Sequence, residues 1–177
     1  QVTLKEYNTT IKAMTISYCD TESFYICFNK LYLQKFLMPI EYVYNTDFSL
    51  SNELLFSSWL NKVVLSENFN LGLVVYAFFN DKEIKELNIK HLGHDFYTDI
   101  LSFDETTDRK VQGNIAISVD QVKENAKTHN VSFENELLRV MAHGVLHFMG
   151  YKDSNIEQKI EMTTKENLKI KMFHVEQ

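Results

Sequence analysis

The sequence predicts an α+β fold: a small mixed β-sheet of about four strands covered by helices, with the helix that carries His143 and His147 at the centre. Three observations predict it. Segments near 39–44, 71–79, 98–103 and 114–118 are β-branched, aromatic or alternating, which suits strands. Between the first two, apolar residues recur at i,i+4, which suits a helix with one buried stripe. From Asp120 onward helix signals dominate.

In chain order, Met38-Pro39-Ile40-Glu41-Tyr42-Val43-Tyr44 reads as a fresh start followed by an alternating strand, and Pro39 is the only proline. Residues 1–37 precede this start and are expected to lie outside the functional domain 38–177, either as read-through from a misassigned start or as a real extension. Their aromatics (Tyr18, Phe24, Tyr25, Phe28, Tyr32 and Phe36) are not the composition of a disordered tail. Ser49-Leu50-Ser51-Asn52 is a cluster of helix N-cap types. Behind it Leu55, Trp59 and Val63, with Phe56, Leu60 and Val64, form the buried stripe and are core residues. Asn80-x-x-Glu83 has capping-box form and predicts a short helix through Leu87, stopped by Gly93. The stretch from Thr106 to Lys110 is a polar loop between the third and fourth strands. Asp120 is expected to cap a helix from Gln121 to about His129, and Ser132 the helix that carries His143 and His147. Ser154-x-x-Glu157 is expected to open the last helix as a capping box.

One stretch carries chemistry: His143-Gly144-Val145-Leu146-His147, followed by Phe148-Met149-Gly150-Tyr151-Lys152-Asp153. Histidines four apart on a helix share a face, so both imidazoles reach one ion. Gly150 can end the helix and turn the chain back, returning the Asp153 carboxylate to the same ion. Two imidazoles and one carboxylate leave a position open for water, the layout of a catalytic zinc site. A chance pair on a solvated face is the bland alternative. Against it, Val140, Met141, Leu146, Phe148 and Met149 surround the pair, and imidazoles on a buried helix need polar partners. One Zn2+ ion held by His143, His147 and Asp153 is therefore expected.

The spacing is that of zincin peptidases, with one part missing. In His-Glu-x-x-His the glutamate is the general base. Gly144 stands there and cannot transfer protons, which disfavours peptidase chemistry while leaving metal-activated water open.

The string His-Gly-x-Leu-His-x-x-Gly-Tyr resembles the signature of the YbeY family, bacterial metal-dependent endoribonucleases of rRNA maturation. That family usually continues Asp-His, the last histidine being its third ligand. Here Lys152 takes the Asp position and Asp153 the histidine position, a competent oxygen ligand. Leu87-Asn88, then Thr98-Asp99-Ile100-Leu101-Ser102-Phe103, and Gly113-Asn114-Ile115 are similar to further family stretches in the same order. Tyr97 stands where the family has proline, and Leu92 where it has an arginine thought to serve the active site. His91, His94 and Lys90 are candidates to supply that charge. The resemblance implies a cytoplasmic, single-strand-specific endoribonuclease of 16S rRNA 3′-end maturation and ribosome quality control. It implies rRNA and the small ribosomal subunit as partners. It does not identify a general base, so no catalytic residue is assigned.

The bulk properties bound this reading. A chain of 177 residues is one domain by expectation, and 45% hydrophobic residues suffice for an ordinary core. No run of about 18 apolar residues occurs, so no membrane span is expected, and the first residues lack the pattern of a secretory signal. Cys19 and Cys27, the only cysteines, are read as free thiols in a reducing cytoplasm. The net charge of −6 is unusual for a nucleic-acid binder. Lys82, Lys85, Lys90, Arg109 and Lys110 are either a local patch for phosphates or ordinary surface charges.

Two other classes stay open. A hydrolase of peptides or small molecules would need a carboxylate, Glu136 or Asp99, beside the metal. A non-enzymatic ribosome-associated factor with a structural metal would need a fourth protein ligand. His129 and His174 are expected at the surface, His91 and His94 either line the cleft or do not, and Asp99 either orients a site group or caps a turn.

Overall fold

The computed structural model describes residues 39–174. The expectations for residues 1–37, Cys19 and Cys27 included, lie outside these described residues. Within them run β1 (Ile40–Tyr44), α1 (Glu53–Ser66), β2 (Asn70–Phe79), α2 (Asp81–Leu92), β3 (Ile100–Asp104), β4 (Lys110–Ser118), α3 (Val119–His129), α4 (Phe133–Phe148) and α5 (Ile156–His174). The sheet order is β1-β2-β4-β3. Strands β1, β2 and β4 are parallel, and edge strand β3 is antiparallel to β4, so the sheet is mixed and the α+β expectation holds. Parallel neighbours need a crossover, which α1 provides between β1 and β2.

Strand alternation decides the layers. Val74, Tyr76 and Phe78 of β2 are fully buried on one face, in the main core with Trp59, Ile115 and Leu146. Ala116 of β4 points the other way, where it meets Leu101 of β3 and Ile84 of α2 in a smaller cluster. Two buried polar tips tie the layers together. The Tyr76 hydroxyl donates to the Met141 carbonyl at 2.9 Å, fastening β2 to α4. The Trp59 indole donates to the Lys169 carbonyl at 2.8 Å, fastening α1 to α5. Helix α4 lies so close to the sheet that a Cβ at Gly144 would come within 2.8 Å of Ile115 Cδ1 and 3.0 Å of Ile100 Cδ1. The helix is thus central, and Gly144 sets its distance from the strands.

Asn52, Asn80 and Ser132 cap their helices as expected, accepting from the backbone N–H three residues on at 3.1, 3.0 and 3.1 Å. Elsewhere the boundaries differ. Strand β4 begins at Lys110 rather than near 114, because Lys110 and Val111 pair with Asn70 and Leu71 beyond a register shift in β2. Helix α2 continues past Leu87 to Leu92, its last turn closed by backbone bonds although Ile89 on it is exposed. Ser118, not Asp120, caps α3 by accepting from Gln121 N–H at 3.1 Å. The Asp120 carboxylate instead accepts from Asp81 N–H at 3.2 Å, across at the start of α2. The last capping box is shifted by one residue. Asn155 accepts from Gln158 N–H at 2.9 Å, while the Gln158 side chain accepts from Ser154 N–H at 3.1 Å.

Candidate metal centre

The i,i+4 spacing puts His143 and His147 on one face of α4, with ring centroids 4.3 Å apart and planes at 88°. Helix α4 ends after Phe148, and Gly150, at φ 92, adopts the left-handed conformation that side chains disfavour. The Tyr151 N–H donates back to the Leu146 carbonyl at 3.1 Å, so the chain reverses there. Asp153 returns with Oδ2 4.0 Å from His143 Nε2. One ligand atom each from His143, His147 and Asp153 lie within 4.8 Å of one another, a group that could hold a metal ion. No fourth His, Cys, Asp or Glu joins that group among the described residues. The His143 side chain is 15% exposed and that of Asp153 48%, so the group opens to solvent on the Asp153 side.

The hydrogen bonds decide what the histidines present. His147 Nδ1 donates to the Tyr151 carbonyl at 2.9 Å; a carbonyl only accepts, so the hydrogen sits on Nδ1. His143 Nδ1 donates to the Glu166 carboxylate at 2.7 Å. In the neutral rings both Nε2 atoms therefore carry lone pairs, and they face each other at 2.8 Å. Two lone pairs at that distance repel unless a proton or a metal ion lies between or beside them. The donor set thus fits a metal ion, with each ring oriented by a partner on its far nitrogen.

Behind the candidate ligands lies a charged network. Arg139, one turn before His143 on α4, donates to Glu136 at 2.6 Å and to Asp99 at 3.2 Å, and its Nη1 is 3.8 Å from Glu166. Burial pushes the Glu136 carboxyl up, but Arg139 and then His129 outweigh it and hold it below its usual range. Tyr151 is anchored at its other end, its hydroxyl donating to Glu67 at 2.7 Å. Glu67 also accepts from Lys165 at 2.8 Å and from Lys169. Burial raises the Glu67 carboxyl, yet these hydrogen bonds prevail and bring it down to about 2.

The three expected ligands come together; other candidates take different roles. Glu136 and Asp99 do not join the ligand group and pair with Arg139 instead. Asp99 also accepts from Asn125 at 3.1 Å. His129 is half exposed and reaches Glu136 at 3.3 Å, while His174 is exposed. His91 packs edge-on to Phe103 and His94 stacks on Phe96, both exposed. Of the five basic candidates, Lys85 pairs with Asp95 at 2.8 Å, and Arg109 lies over Phe69. Lys82, Lys90 and Lys110 are exposed. Sequence reasoning missed Glu166 and Arg139. A signal existed for the first: Glu166 falls between Met162 and Ile170 at i,i+4 on the buried stripe of α5, where a carboxylate needs a partner.

The sequence profile described as Endoribonuclease YbeY matches residues 44–174. Proteins named Endoribonuclease YbeY from Flavobacterium johnsoniae, Flavobacterium psychrophilum and Christiangramia forsetii are 49%, 43% and 42% identical over 138 residues. Each alignment spans 78% of this chain and 99%, 99% and 96% of the respective relative. The solution structure of TM1509 from Thermotoga maritima is similar at a TM-score of 0.55 and 30% identity, covering 77% of this chain and 90% of that one.

Proposed function

Because the chain belongs to the YbeY family, we propose that it is a zinc-dependent endoribonuclease that cuts single-stranded RNA. The same reading gives its place as 16S rRNA 3′-end maturation and ribosome quality control, in the cytoplasm, with the small ribosomal subunit as partner. The observation that carries the metal dependence is the pair of Nε2 atoms 2.8 Å apart, with both Nδ1 atoms already committed as donors and the Asp153 carboxylate beside them. Two imidazole nitrogens and one carboxylate oxygen are a zinc donor set with room for a further ligand.

His143, His147 and Asp153 hold the ion in this reading, and Glu166 and the Tyr151 carbonyl keep the rings aimed. A zinc ion bound there supplies positive charge to a phosphodiester oxygen and acidity to a nearby water. The solvent-open side at Asp153 admits the RNA strand. Peptide hydrolysis of the zincin kind lacks its base, since Gly144 stands at the glutamate position and a Cβ there would meet Ile115 and Ile100. No described helix is long and apolar enough to cross a membrane.

The test is zinc analysis of the purified protein combined with cleavage of a labelled single-stranded RNA, with and without a chelator. The expected result is one zinc per chain, loss of cleavage with chelator and recovery on zinc addition. Cleavage that is indifferent to the chelator would overturn the proposal.

A further inference from the structure

The loop between α2 and β3 presents two large rings to solvent: Phe96 is 56% and Tyr97 55% exposed. The loop is fastened rather than merely draped. Asn88, 1% exposed, donates from its side chain to the Phe96 carbonyl at 3.0 Å, and its own carbonyl accepts from His94 N–H at 3.4 Å. Each ring also has a polar companion. His94 stacks on Phe96 with centroids 5.2 Å apart and planes at 20°. Lys85, tied to Asp95 at 2.8 Å, sits 4.9 Å from the Tyr97 centroid. The loop runs directly into Asp99, which accepts from Arg139, one helical turn from His143 on the same face of α4. Exposed rings on a fastened loop thus stand two and three residues before Asp99, which is bonded to Arg139 one helical turn from His143.

We propose that Phe96 and Tyr97 form a stacking platform for the unpaired bases of an RNA strand whose backbone reaches the His143–His147–Asp153 site. This rests on the endoribonuclease reading. With a net charge of −6, the chain is poorly suited to win affinity through phosphate neutralisation alone. Base–aromatic stacking needs no net charge and tolerates any sequence. It also discriminates by strandedness, because bases in a duplex are already stacked on each other and unavailable to a loop.

The test uses the zinc-loaded full chain and a labelled single-stranded RNA. The Phe96→Ala/Tyr97→Ala double variant should raise KM roughly tenfold or more while leaving kcat unchanged, the pattern of lost substrate binding. Phe96→Trp should retain the parent KM. Trp59, the only native tryptophan, is fully buried, so an indole at 96 reports on the loop. Its fluorescence should be quenched by a single-stranded oligonucleotide and not by an abasic strand of equal length. An unchanged KM in the double variant, or equal binding of the abasic strand by the parent, overturns the platform. A position-96 indole already shielded from a soluble quencher without RNA does so as well. If the parent itself neither binds nor cuts RNA, it is the endoribonuclease reading that fails.

Discussion

Glutamine at position 166 keeps the volume of glutamate and removes its charge. Glu166 is 5% exposed, with Oε1 2.7 Å from His143 Nδ1 and 3.8 Å from Arg139 Nη1. Its carboxylate holds the hydrogen on Nδ1, which leaves the Nε2 lone pair for the ion, and makes that nitrogen a better donor. A glutamine retains one acceptor oxygen, so the ring can stay in place, but the negative charge is gone. Its amide group can also turn its N–H to Nδ1, which would move the ring hydrogen to Nε2 and block the ligand position. Losing such an orienting partner weakens metal binding about 10–100-fold. That corresponds to ~1.4–2.8 kcal/mol at tenfold per 1.4 kcal/mol. Arg139 keeps Glu136 at 2.6 Å and Asp99 at 3.2 Å, so the network behind the site should survive. Zinc affinity is measured by competition with a chromophoric chelator, alongside thermal melts with and without zinc. The expected outcome for Glu166→Gln is a raised Kd and a smaller zinc-induced rise in Tm, with the metal-free Tm little changed. An unchanged Kd in a folded variant would refute the argument that Glu166 sets the histidine tautomer.

Other perturbations test separate parts of the structure. Glu67, depressed from 4.5 to about 2, contributes stability that is present above pH 4.5 and lost as pH falls toward 2. At ~1.4 kcal/mol per unit this amounts to at most ~3.5 kcal/mol, and solvent screening lowers it. Glu67→Gln should therefore melt below the parent near pH 6, with the gap narrowing between pH 4.5 and 2; a gap independent of pH would contradict the assignment. Gly144→Ala brings a methyl group against Ile115 and Ile100 and should destabilise by ~1–3 kcal/mol in denaturant melts, less any gain in helix propensity. His147→Ala should abolish RNA cleavage with the fold intact by circular dichroism, and cleavage at the parent rate would place the activity elsewhere. Asp153→His should retain cleavage, since an imidazole is also a competent ligand.

The sequence by itself determined the features written in short-range spacing. Histidines at i,i+4 share a helix face whatever surrounds them, and Gly150 permits the reversal that returns Asp153, so the convergence of the three side chains was legible from eleven consecutive residues. The strand segments and the caps at Asn52, Asn80 and Ser132 were legible for the same reason, each being a local contest between backbone and nearby side chains. Only the tertiary structure decided what stands behind the candidate ligands. Glu166 reaches His143 from 23 residues away and Glu67 reaches Tyr151 from 84, because α5 and the end of α1 pack beside the turn. The displaced caps at Ser118 and Asn155, the early start of β4 and the pairing of Asp99 with Arg139 are of the same kind. Each follows from which groups burial brings together and leaves needing a partner, and sequence spacing does not specify those neighbours.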